Sequence, residues 1–187
     1  MKEKFAELVR EGILSLPQDL KTVLRIVDDP DIDDDSRVTA AGAVMHVLSA
    51  SNSIPGMRGI LGHVDDVLVL RLALERIEQK NPEAMAAHRE DSPELFADLD
   101  DQLEVIRGYL GELTKVLEKA VDGLGKLNHQ GHPAARCVRD TDAGNWLHDA
   151  VQEAIVEQID FDDDEVAREV KGVDRILPHL RTRLQAM

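Results

Sequence analysis

Residues 62–66 read Gly-His-Val-Asp-Asp, and an apolar helical run follows at once. The imidazole of His63 and the adjacent carboxylates of Asp65 and Asp66 are donor types suited to Mg²⁺, Mn²⁺ or Zn²⁺. An Asp-rich stretch, DDPDIDDD at residues 28–35, offers Asp31 and Asp33 as further carboxylate ligands. Together these residues would make a metal-dependent, hydrolase-like site. The first expectation for Asp65 and Asp66 is structural, however. At a helix N-terminus the unpaired N–H groups and the dipole favour a negative charge by ~0.3–1 kcal/mol, and an aspartate can cap directly. Asn52 is expected to bond the loop backbone near Pro55. On this reading no residue is assigned a catalytic role, no cofactor is expected, and a divalent metal is the alternative.

Two other groups invite the same question. Asp29, Asp31, Asp33 and Asp35 alternate like the start of a calcium loop, but Asp34 stands where that loop needs Gly and Ala40 where it needs Glu. Helix capping and a solvated turn are expected there. His129, His132 and Cys137, with Asp140, Asp142 and His148 nearby, could supply three zinc ligands. Their spacing follows no finger, Pro133 follows the second His, and there is no Cys pair, so a polar surface loop is expected over 128–144. Nothing marks Cys137 as a nucleophile. Phosphate-binding glycine loops, HExxH and GxSxG are absent from the chain.

The elements that must position these groups read as helices. Hydrophobic residues make up 43% of 187 and aromatics only 3%, so the core is aliphatic and suits helix-on-helix packing. Phe5, Val9 and Ile13 predict a helix over 3–14. Pro17 permits a restart, with Leu20, Val23, Leu24 and Val27 on a second. Val38, Ala41, Val44, Met45 and Leu48 mark a third over about 36–50. A fourth, about 63–80, is apolar around more than half its circumference and must be heavily buried.

Beyond Asn81-Pro82 a heptad stripe runs through Leu99, Leu103, Ile106, Leu110, Leu113, Leu117, Ala120, Leu124 and Leu127. As one helix it would extend ~42 Å. Helices over about 145–159 and from Asp163 complete the pattern, the last with a kink expected at Pro178. The fold class is all-α: a compact N-terminal helical unit over 1–82, packed with or followed by a three-helix bundle over 91–187, and one merged domain is nearly as well supported.

Three blocks, LPQDLKTVLRIVDDP, AAGAVMHVLSASNSIP and ILGHVDDVLVLRLAL, resemble the YkvA-like family, a small helical domain of unknown function found in many bacterial proteins. The matching positions are Leu16, Pro17, Asp19, Leu20, Ile54, Pro55, Gly62, Asp65 and Asp66, within residues 15–80. Ala50, Asn52, Gly56 and Gly59 depart from it, standing where the family has Pro, Asp, Asp and Pro. The resemblance implies a fold and no activity. Some relatives are thought to associate with membranes. Here the fourth helix carries Asp65, Asp66, Arg71, Glu75 and Arg76, which fits a soluble variant.

The 22 cationic against 37 acidic residues give a charge of −15, which repels phosphate backbones and anionic membranes. One cysteine permits no internal disulfide, no apolar run reaches the ~20 residues of a membrane span, and a cytoplasmic location is expected. The leading functional expectation is a non-enzymatic protein-interaction module, with a protein partner or a homodimer burying the overhanging stripe. A metal-dependent enzyme at the His63/Asp65/Asp66 corner is the second, and a peripheral membrane protein using the helix from Val64 the third.

Overall fold

The first helix, α1, runs unbroken from Lys2 to Asp28, through Pro17. The expected restart at Pro17 does not occur. An internal proline costs about 3 kcal/mol, but Ile13, Leu16, Leu20, Val23 and Leu24 continue the buried stripe of Phe5 and Val9 without a change of phase. A break would take half of that stripe off the core. The computed structural model describes residues 1–49 and 53–187. Ala50 and Asn52, two of the positions singled out in the sequence, lie outside the described residues.

α2 (Asp34–Leu48) begins at Asp33, whose carboxylate accepts the Ser36 N–H at 2.9 Å and closes the first turn. After the Pro55-Gly56 turn, a 3₁₀ turn (Gly59–His63) leads into α3 (Val64–Lys80). Every residue of 64–74 is buried, as an apolar helix of that breadth requires. Gly56 and Gly59 have φ of +88° and +60°. Proline cannot adopt the second of these, so the chain path differs from one carrying a proline at 59.

α4 (Pro82–Asp91) and α5 (Pro93–Phe96) turn the chain back. The heptad stripe is not one helix. α6 (Leu99–Leu110) ends at Gly111, with φ +54° and ψ −127°, and a 3₁₀ turn joins it to α7 (Thr114–Gly123) and then to a second 3₁₀ turn at Leu124–Lys126. The bend folds the stripe onto the core: Leu99, Leu103, Ile106, Leu110, Leu117 and Leu124 are all buried within the chain. Leu113, Ala120 and Leu127 of the stripe are partly buried against it.

The expected loop over 128–144 is a two-residue hairpin, β1 (Asn128–His129) with β2 (His132–Pro133), then α8 (Ala134–Arg139) and the start of α9 (Thr141–Glu157). Gln130 and Gly131 both take positive φ, the signature of a tight hairpin turn. α10 (Asp163–Glu169), a 3₁₀ segment over 170–175 and α11 (Ile176–Gln185) close the chain. The break falls before Pro178, which sits in the first turn of α11, where its missing N–H costs little.

The buried side chains form one continuous cluster from Phe5 to Leu180. α1 packs against α2, α3, α6, α9 and α10, and α2 packs against α3, α8 and the turn at 124–126. The architecture is all-α, with α2 and α3 held face to face at its centre.

Candidate metal centre

Asp65 and Asp66 occupy the first turn of α3, yet neither caps it. The cap position falls on His63, which makes no side-chain capping bond. Both carboxylates turn instead toward the last turn of α2. There His46 Nε2 lies 2.9 Å from Asp65 Oδ2 and 3.6 Å from Asp66 Oδ1. One donor atom from each of the three residues lies within 4.8 Å of the others. The cluster is almost dry: Asp65 is 1% exposed, Asp66 4% and His46 5%.

The surrounding bonds fix these groups. Ser53 N–H donates to Asp65 Oδ2 at 2.7 Å. His63 Nδ1 lies 2.9 Å from Asp66 Oδ2, and its ring tilts against Phe161 at 4.9 Å. His63 therefore orients Asp66 from behind and does not join the three convergent groups. Asp65 Oδ1 is buried with no hydrogen-bond partner among the described residues. An unsatisfied buried carboxylate oxygen carries its full desolvation cost.

The electrostatics follow from this crowding. Burial drives the Asp66 pKa up, against the hydrogen bond from His63, and the neighbouring charge of Asp65 adds to the rise, placing it at about 6. Burial opposes a charged His46. Its hydrogen bond to Asp65 and the charges of Asp65 and Asp66 outweigh that, so His46 titrates above the ordinary imidazole value. The proton on Asp66 thus depends on the charges of Asp65 and His46 beside it, in a space that disfavours isolated charge.

A second buried ionic contact on α3 joins Arg71 to Asp19. Arg71 Nη1 donates to Asp19 Oδ2 at 2.8 Å, Ser15 Oγ donates to the same oxygen at 2.9 Å, and Arg71 Nε donates to Gln102 Oε1 at 3.2 Å. It ties α1 to α3 and α6.

The other sequence candidates are engaged elsewhere. Asp31 and Asp33 are exposed and stand apart from His63, Asp65 and Asp66. Asp33 also accepts from Asn81 Nδ2 at 2.8 Å, and Asp31 N–H donates to Asp29, whose carboxylate meets His88 at 2.7 Å. His132 stacks on Trp146 at 3.8 Å and 11°, with His129 at 6.0 Å from the same ring. His148 meets Asp28 at 2.8 Å, and Asp140 caps α9. Cys137 is buried, which pushes its thiol pKa up. Among the described residues only His46, Asp65 and Asp66 gather as a three-ligand set.

His46 is the member that the sequence reading passes over. It is the one titratable side chain in residues 38–48, VTAAGAVMHVL, and that isolation in an apolar helix is the signal it left.

Fold and site together define an all-α protein with a buried His/Asp/Asp cluster. No protein-family model, no curated protein and no solved structure matches the chain significantly. Among the described residues no helix is long and apolar enough to cross a membrane.

Proposed function

We propose that this protein binds a divalent cation between His46, Asp65 and Asp66. The observation that carries the reading is their convergence in a dry site where one carboxylate oxygen, Asp65 Oδ1, has no hydrogen-bond partner among the described residues. Ligand atoms ~2.1 Å from an ion stand ~3.0–3.4 Å apart in octahedral or tetrahedral geometry. The His46 contacts of 2.9 and 3.6 Å bracket that spacing. Charge supports it as well, since two carboxylates and a neutral imidazole balance a dication. His63 would serve as the outer support of Asp66. An ion held by three protein groups keeps positions for water and makes that water more acidic, the arrangement of metal-assisted hydrolysis.

The interaction module has less to stand on. Among the described residues the large exposed hydrophobics are Met1, Val156 and Met187, and most of the heptad stripe is buried inside the chain. The helix from Val64 keeps no free apolar face for a membrane surface. The resemblance to the YkvA-like family, a cytoplasmic location and avoidance of nucleic acid remain parts of the proposal, supported by residues 15–80 and by the charge of −15.

Calorimetric titration of chelator-stripped full-length protein with Mn²⁺ and Zn²⁺ tests the reading. One ion per chain is expected. Asp65→Asn and His46→Gln should each weaken binding by about tenfold or more while the variants stay folded. No saturable binding, or binding indifferent to both substitutions, would overturn it.

A further inference from the structure

A cleft of about 450 Å³ opens beside the cluster. α7 supplies Val116, Lys119 and Ala120, Leu124 and Leu127 extend that wall, and the end of α11 supplies Arg183. His46 and Ser53 also line it, which brings the cleft up to the cluster. In a chain of charge −15 the lining contains no Asp or Glu side chain. Its charged side chains are Lys119 and Arg183, both exposed, and neither makes an ion pair or side-chain hydrogen bond among the described residues. The lining between them is largely aliphatic.

We infer that this cleft binds a phosphate monoester carrying a hydrocarbon group. The phosphoryl dianion meets the ammonium of Lys119 and the guanidinium of Arg183, whose fork suits phosphate oxygens. The hydrocarbon lies on the partly exposed Ala120 and Leu127, backed by the buried Val116 and Leu124, taking apolar surface out of water. The acidic remainder of the surface repels such an anion, and the two cations of the cleft attract it. The inference stands on the cleft itself and does not require the cation.

Hexyl phosphate titrated into the full chain, once with chelator and once with Mn²⁺, tests this by calorimetry. Saturable binding is expected in both conditions, with inorganic phosphate and hexanol each bound more weakly. Lys119→Glu and Arg183→Glu reverse exposed charges and should each weaken hexyl phosphate about tenfold, leaving Mn²⁺ affinity unchanged. Ala120→Glu, which places a carboxylate on the aliphatic wall, should abolish binding. Thermal melts verify that all three variants fold. The inference is overturned if hexyl phosphate shows no saturable binding below about 10 mM in either condition, or if both charge reversals leave its affinity unchanged. Failure of the metal site would appear separately, as absent Mn²⁺ binding with hexyl phosphate binding intact.

Discussion

Asp66 and His46 hold protons in the folded chain that the unfolded chain gives up more readily. The Asp66 carboxyl is raised from the ordinary aspartate value to about 6, and His46 is raised above the ordinary imidazole value. Both shifts stabilise the folded state at low pH, and that stabilisation is lost as pH climbs through the folded values. Other carboxylates act in the opposite sense. Against burial, hydrogen bonds from Asp31 N–H and His88 hold Asp29 low, and those from Ser36 and Asn81 hold Asp33 low. Their contribution is lost only as pH falls below the ordinary carboxylate range. The metal-free protein should therefore be most stable near pH 4 and lose on the order of 2 kcal/mol between about pH 4 and 7 through Asp66 alone. Asp66→Asn should remove that share of the loss. Saturating Mn²⁺ should reverse the trend, because the ion competes with protons for the same atoms. Thermal melts at pH 4 and 8, with chelator and with Mn²⁺, read the effect. A chelated wild type and an Asp66→Asn variant with identical pH slopes would contradict it.

The helices set the distance between these residues, and α2 is the critical one. A Cβ at Gly42 would lie 2.1 Å from the carbonyl oxygen of Leu124, where α2 crosses the turn at 124–126. Backbone cannot move aside as a side chain does, so Gly42→Ala should destabilise the fold by about 1–3 kcal/mol. Because His46 lies one turn further along α2, Mn²⁺ affinity should fall as well. Gly123→Ala meets nothing within 4 Å and serves as the control. Urea denaturation of the two variants separates them, and equal stabilities would contradict the crossing. Apolar periodicity made α2, α3 and α9 legible, and the all-round burial of α3 with them. The continuity of α1 through Pro17 and the bend at Gly111 were not legible, because core packing decided both against local preference. The site was half legible for the same reason. Asp65, Asp66 and His63 are neighbours in sequence, whereas His46 reaches them only through the packing of α2 on α3.

Across the whole molecule, one aliphatic core and a charge of −15 frame the cluster. A dication that binds only the folded chain stabilises it by mass action, about 2.7 kcal/mol at a hundredfold excess over its Kd. In so acidic a protein it also relieves self-repulsion. The most direct measurement is diffraction from crystals grown with Mn²⁺, collected at the manganese edge. The account predicts one anomalous peak within ~2.0–2.4 Å of His46 Nε2 and of carboxylate oxygens from Asp65 and Asp66. A site with no peak, and with the His46–Asp65 hydrogen bond intact, would contradict it.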